Sequence, residues 1–157
     1  MKPGPAESFE GQCQCGKHRY RVSGDAVALF ACHCTECQRQ SSSAFGMALW
    51  VQGYDKRVSG GELGRWTRRT PTGKQLTGEF CTACGTRLFH QMAGQAELMS
   101  IKPGSLDRAG ELEPVAHIWT SSAQRWLRPA LEGSLCYSEN PPGFEEMFAA
   151  WRARKPG

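Results

Sequence analysis

Seven of the eight cysteines in this chain of 157 residues fall in four short pieces: Cys13-Gln14-Cys15, Cys32-His33-Cys34, Cys37 and Cys81-Thr82-Ala83-Cys84. Nothing else in the sequence limits the fold as strongly. A disulfide framework belongs to secreted chains well under a hundred residues. This chain is longer, and its start, Met1 to Glu7, has no apolar run of the kind a secretory signal needs. Cysteines one residue apart also lack the Cα spacing and Cβ direction that a bridge requires. Tight Cys-x-Cys and Cys-x-x-Cys pairs suit a soft divalent ion instead. Zinc is tetrahedral and is commonly held by two close thiolate pairs brought together from distant parts of a fold.

Seven thiolates divide into four and three. A closed structural site uses four protein ligands, and a catalytic zinc keeps three and one open position. Cys13, Cys15, Cys81 and Cys84 would make the four. Cys32, Cys34 and Cys37 lie within six residues, so one loop can present all three to a single ion. Counting alone also permits other partitions, such as Cys13 and Cys15 with Cys32 and Cys34. A Cys-x-Cys pair shares one ion only where the strand bends locally, because residues two apart are separated by two rises. Gly16 after Cys15 and Gly85 after Cys84 supply the freedom to turn. This is the knuckle arrangement of a zinc ribbon.

Composition enters through charge. The formal net charge is +4. Four thiolates on one divalent ion carry a charge of about −2 and three carry about −1, so the metallated chain would be near +1. Nucleic-acid binding is therefore not expected, and Arg65-Trp66-Thr67-Arg68-Arg69 is the only basic and aromatic stretch that could argue for it. No apolar stretch is long enough to cross a membrane. Seven metal-ligating thiols point to the reducing cytoplasm.

Residues 1–8 are expected to be loose, 9–142 to form one zinc-binding domain, and 143–157 to form a C-terminal helix with a basic tail. Alternation predicts a strand over 18–22 with Tyr20 and Val22 inward, and an apolar run over 26–31 leading into Cys32. A helical turn starting at Cys34 or Thr35 would keep Cys37 one turn away and aim free N–H groups at the thiolates. Two strands, 44–51 and 54–59, are separated by Gln52-Gly53. Further strands are expected over 64–68, 75–80, 86–91, 96–102 and 115–120. Phe144, Met147, Phe148 and Trp151 share a helical face. The fold class is mainly β, with short twisted antiparallel strands and one C-terminal helix.

Four motifs occur in order: Gly11-x-Cys13-x-Cys15-Gly16; Cys32-His33-Cys34-x-x-Cys37 followed by Phe45; Phe80-Cys81-x-x-Cys84-Gly85-x-x-Leu88; and Gly104-Ser105-Leu106-Asp107 with His117-Ile118-Trp119 and Trp126. Together they resemble the glutathione-dependent formaldehyde-activating enzyme family, which includes centromere protein V. The resemblance implies a complex β-tent fold, small zinc-ribbon-like antiparallel sheets around zinc knuckles. It implies two zinc ions per chain: a structural one on Cys13, Cys15, Cys81 and Cys84, and an open one on the catalytic Cys32, Cys34 and Cys37. It implies a carbon–sulfur lyase of formaldehyde detoxification, handling S-hydroxymethylglutathione, with glutathione as co-substrate. The chain departs from the family pattern at Gln38, where arginine is common, and at Ser42, where glycine is common.

The candidate partners are a small thiol or aldehyde. Sequence leaves open whether the chain is a monomer or a homodimer. A non-catalytic zinc module for protein or chromatin, or an enzyme for another thiol adduct, are the alternatives. A module would gain by completing the second tetrahedron, and no fourth close ligand is visible in the sequence. Arg39 and Ser41 could hold a glutathione carboxylate, and His117 could orient a thiolate. His33 is expected to face away from the ion, His18 and His90 to face solvent, and Cys136 to stand apart from both sets. Trp50, Trp66, Trp119, Trp126 and Trp151 are expected to pack.

Overall fold

The computed structural model describes residues 7–154. The loose start expected at 1–6 and the end of the basic tail at 155–157 lie outside the described residues. The chain divides into two compact units, one of residues 7–26 with 49–112, the other of 27–48 with 113–154. Two of the three boundaries fall inside long strands.

In the first unit the neighbouring strands run β1 (Glu7–Gln12), the first part of β2 (Arg19–Cys32), the second part of β3 (Gly46–Val58), β7 (Leu98–Ile101), β6 (Arg87–Met92), β5 (Gln75–Phe80) and β4 (Gly64–Arg69). β1 with β2, β3 with β7, β7 with β6, β6 with β5 and β5 with β4 pair antiparallel. Strand alternation puts Tyr20, Val22, Val51, Phe89, Met99 and Ile101 on buried positions. Tyr20 meets Phe89 edge-on at 4.8 Å between centroids. β1 starts at Glu7, within the segment expected to be loose, because Glu7 and Ser8 pair with Gly24 and Ser23.

The two strands expected on either side of Gln52-Gly53 are one strand, β3. The Gly53 N–H donates to the Glu97 carbonyl at 2.9 Å, so the ladder partner continues past the glycine. Glu79 is buried on this unit's sheet, held by Lys56 and Arg65.

In the second unit the last part of β2 pairs with β8 (Ala116–Ile118) in parallel, an exception to the antiparallel expectation. α1 (Thr35–Ser41), α2 (Arg128–Leu131) and α3 (Glu145–Arg154) complete it. α3 buries Met147 and Trp151, two of the four residues expected on one face. Its first turn carries Glu145 and Glu146 and its last Arg152 and Arg154, which suits the helix dipole at both ends. α2 escaped the sequence reading. It is one turn with Pro129 as its second residue. Among the described residues, no helix is long and apolar enough to cross a membrane.

Two expected packing residues are corrected. Trp66 is 54% exposed and Trp126 69% exposed. Trp66 sits on β4, an edge strand whose outer face has no covering layer within its unit.

Candidate metal centres

The first sulfur cluster belongs entirely to the first unit. Cys13 and Cys15 follow β1, and Cys81 and Cys84 follow β5. In each knuckle the chain turns back on a glycine, Gly16 at φ 76° and Gly85 at φ 78°. Side chains other than glycine are strained there. The Gly16 N–H donates to the Cys13 carbonyl at 3.0 Å, and the Gly85 N–H to the Cys81 carbonyl at 2.8 Å. These bonds aim the thiols at a common point.

All four sulfurs lie within 4.8 Å of one another. Cys13 and Cys15 are 3.6 Å apart and Cys15 and Cys81 3.8 Å apart. A metal–sulfur tetrahedron with bonds of about 2.3 Å has edges of about 3.8 Å, so the spacing fits a tetrahedral ion and not a disulfide. Burial works against the Cys13 thiolate, but the His18 N–H at 3.2 Å and the neighbouring thiols hold its pKa below the ordinary value. The Thr86 hydroxyl and N–H bring Cys84 down to about 5. The His18 ring, expected in solvent, is fully buried, with neither ring nitrogen hydrogen-bonded. The turn that sends its N–H to Cys13 carries the ring inward.

The second cluster belongs to the second unit. Cys32 ends β2, Cys34 caps α1, and Cys37 stands one turn along it. The Cys34 sulfur accepts from the Cys37 N–H at 3.4 Å. The expected helical turn at Cys34 is therefore present, with the thiol itself as the cap. The three sulfurs lie within 4.8 Å of one another. The Cys32 and Cys37 thiols donate toward Cys34 and hold its pKa down, while the same sharing pushes Cys32 up. Three thiols this close share protons, and one cation in their place would ionise all three. Both clusters could hold a metal ion.

Around the second cluster, Gln38 donates from Nε2 to the carbonyls of His33 at 2.7 Å and Ser122 at 3.0 Å. This pins α1 to the turn after β8. His33 is fully buried, and its Nε2 lies 3.1 Å from the His117 Nδ1. Burial lowers the pKa of both rings, and in His33 the His117 neighbour adds to it. Two residues on, Trp119 occupies the left-handed region at φ 57°, its indole N–H donating to Asn140 Oδ1 at 2.9 Å. Exposed Trp126 donates to Gln124 Oε1 at 2.7 Å.

Arg39 is exposed and pairs with Glu36 at 3.1 Å. The Ser41 hydroxyl is used internally, 2.8 Å from the Cys37 carbonyl and 3.0 Å from that of Phe45. Cys136 is exposed and belongs to neither sulfur group. The His33–His117 contact and the double use of Gln38 went unread in sequence. His33 and His117 each lie in a sequence motif, but their pairing joins positions 84 apart.

Residues 8–122 match the family model of the glutathione-dependent formaldehyde-activating enzyme. The chain belongs to this family. Among solved structures, a Rhodobacter sphaeroides protein aligns with a TM-score of 0.49 at 20% identity, over 82% of this chain and 99% of that one. No curated protein sequence matches the chain. In the formaldehyde-activating family frame, all seven motif cysteines lie in the two sulfur clusters, and Gln38, at the family's frequent arginine position, does structural work through two backbone carbonyls.

Proposed function

We propose that the protein is a zinc-dependent carbon–sulfur lyase acting on S-hydroxymethylglutathione or a close thiol–aldehyde adduct. The observation that carries the reading is the three-sulfur cluster at a strand end and helix cap, in a chain of this family. Cys13, Cys15, Cys81 and Cys84 form the closed structural set. Cys32, Cys34 and Cys37 form the open, catalytic set. A zinc ion bound there would supply one free position at which a substrate sulfur is held as thiolate.

The balanced reaction releases formaldehyde and glutathione from the adduct. The carbon–sulfur bond breaks, its electron pair goes to sulfur, and the hydroxyl proton leaves as the carbonyl forms. The chain's part is to hold these groups in place. The Cys37 N–H steadies the Cys34 thiolate, as an amide at a helix start does for an anion. Gln38 keeps α1 from shifting relative to Ser122. The His117 ring, held by His33, is the group offered to the leaving hydroxyl proton. Arg39 is the exposed cation offered to a substrate carboxylate, with Ser41 ordering the turn beside it.

The test is proton NMR exchange between formaldehyde and S-hydroxymethylglutathione in the presence of glutathione. The metal-loaded protein should accelerate exchange, Cys34→Ser should abolish the acceleration, and Cys136→Ser should keep it. Folded, metal-loaded protein that leaves the exchange rate unchanged would remove glutathione adducts as the substrate.

A further inference from the structure

Among the described residues, Arg68 and Arg87 of the first unit lack a carboxylate partner and lie on one face of its sheet, whereas Arg69, which also has no ion pair, alternates to the other face. Arg19, Arg21, Arg39, Arg57, Arg65, Arg108 and Arg154 each pair with a carboxylate. Among the described residues, Arg68 and Arg87 pair with none. Arg68 donates only to the Arg69 carbonyl, at 3.2 Å. Arg87 donates to the His90 Nε2 at 3.0 Å and lies over the Phe80 ring at 5.9 Å. By contrast, a cavity of about 420 Å³ lined by Arg19, Arg21 and Arg57 already has every guanidinium paired.

Strand register shows where these cations sit. Trp66, Gly78, His90 and Ser100 are successive cross-strand partners over β4, β5, β6 and β7. They form one row on one face of the sheet. Gly78 leaves a gap in that row, and the Arg87 guanidinium fills it: a Cβ on Gly78 would collide with that group. The guanidinium therefore lies between exposed Trp66 and His90. Arg68 belongs to the same face, one row along, opposite Leu76. The buried carboxylate of Glu79 is on the opposite face, taken up by Lys56 and Arg65.

The position of His90 corrects its expected exposure. It is half-buried, and burial together with the charges of Lys102, Arg87 and Arg68 holds its pKa down to about 2. A neutral imidazole accepts from Arg87 and adds no charge. Arg87 and Arg68 thus share one half-buried face, where burial first and then the Arg68 charge lower the Arg87 pKa. Such repulsion is relieved by an anion. A guanidinium with donors left over is a strong partner for an oxyanion. The flat, half-exposed indole next to it supports a stacked ring.

We infer that this face, with Arg87 and Arg68 around Gly78 and Trp66 at its side, binds a small phosphate-headed molecule that carries an aromatic ring. The phosphate sits on the guanidinium of Arg87, and the ring lies on Trp66. The site is independent of both sulfur clusters and of the lyase reading.

The test uses full-length, metal-loaded protein with adenosine monophosphate and inorganic phosphate as probes, read by calorimetry and by quenching of tryptophan fluorescence. Adenosine monophosphate should saturate the protein, about tenfold more tightly than inorganic phosphate, which should compete with it. Trp66→Ala should bring the nucleotide down to the phosphate level. Arg68→Ala makes no ion-pair loss within the fold and should weaken both probes by about fivefold or more. Arg87→Gln, checked for folding by circular dichroism, should weaken them further. No saturable binding up to about 10 mM, equal affinity for the two probes, or binding undiminished in Arg68→Ala would each overturn the inference.

Discussion

Replacing one sulfur in each cluster should separate a ligand of the fold from a ligand of the reaction. Cys81→Ala removes a fully buried thiol from the four-sulfur cluster. Apparent binding energies at structural zinc sites are about 10–16 kcal/mol and are largely folding energy. Loss of one ligand in four removes at least a quarter of this, about 2.5–4 kcal/mol, even if the ion stays. Total stabilities of domains are about 5–15 kcal/mol. Each kcal/mol lowers Tm by about 2–4 °C at this chain length, so the minimum fall is about 5–15 °C. Complete loss of the ion unfolds the first unit.

Cys34→Ser asks the opposite question. It removes a thiolate from the three-sulfur cluster but leaves an oxygen able to accept from the Cys37 N–H, and serine is a preferred helix cap. The fall in Tm should stay within about 2–4 °C, while metal content drops by one ion per chain. The assays are elemental analysis of purified protein and thermal melting by circular dichroism. A soluble Cys81→Ala protein with unchanged Tm would refute the structural role of the four. A Cys34→Ser protein that melts as early as Cys81→Ala would refute the division of labour.

Glu79→Gln should cost about 3 kcal/mol, because Lys56, only 23% exposed, loses its carboxylate; Arg65→Ala, at an exposed partner, should cost under about 1 kcal/mol, both read by denaturant titration. His90 has a folded pKa of about 2 against an ordinary 6.5, so the unfolded chain takes up the proton first and stability is lost as pH falls below 6.5. This amounts to about 1.4 kcal/mol at about pH 5.5, and His90→Gln should flatten that part of the stability–pH curve. Gly85→Ala puts a Cβ at φ 78° and should lower stability by about 1–2 kcal/mol and loosen metal held by the first cluster, checked by chelator competition. Gln38→Ala leaves two carbonyls without their donor and should lower Tm by about 2–6 °C, and Gln38→Arg, with more donors on a long arm, should restore most of it.

Much of the site was legible because thiol spacing is local information. A Cys-x-x-Cys-Gly knuckle specifies its own turn, and Cys34-x-x-Cys37 specifies a helix start, so the three-sulfur set is legible locally, whereas joining Cys13 and Cys15 to Cys81 and Cys84 spans 66 residues and spacing leaves that pairing open. Alternation likewise placed Tyr20 and Val22 inward. The histidines were a different matter. Alternation over 18–22 puts His18 on the same inward side as Tyr20 and Val22, and the expectation of solvent followed its polarity instead. His90 was placed on the correct side of β6, opposite Phe89. That side is half-covered by Arg87, which reaches it because Gly78, twelve residues before His90, leaves room. Trp66 is exposed for the complementary reason: hydrophobicity argues for burial, but the last strand of a row has a neighbour on one side only.

The two clusters also differ in what the backbone does for them. Each knuckle of the four-sulfur set closes on a glycine and a short N–H to carbonyl bond, and Cys13 and Cys81 are fully buried. Little can move without opening the sheet from which the knuckles hang. The three-sulfur set is built from the end of one strand and the cap of a seven-residue helix, and the helix is held from its middle by Gln38 and at its end by Ser41 rather than by a buried face. α1 buries no residue of its own. Its place therefore depends on a few polar bonds, each contributing about 1 kcal/mol. An element held that way can shift at small cost when a ligand enters, whereas the knuckles cannot. How each cluster is anchored, as well as its ligand count, therefore supports the proposed assignment of structure to one and chemistry to the other.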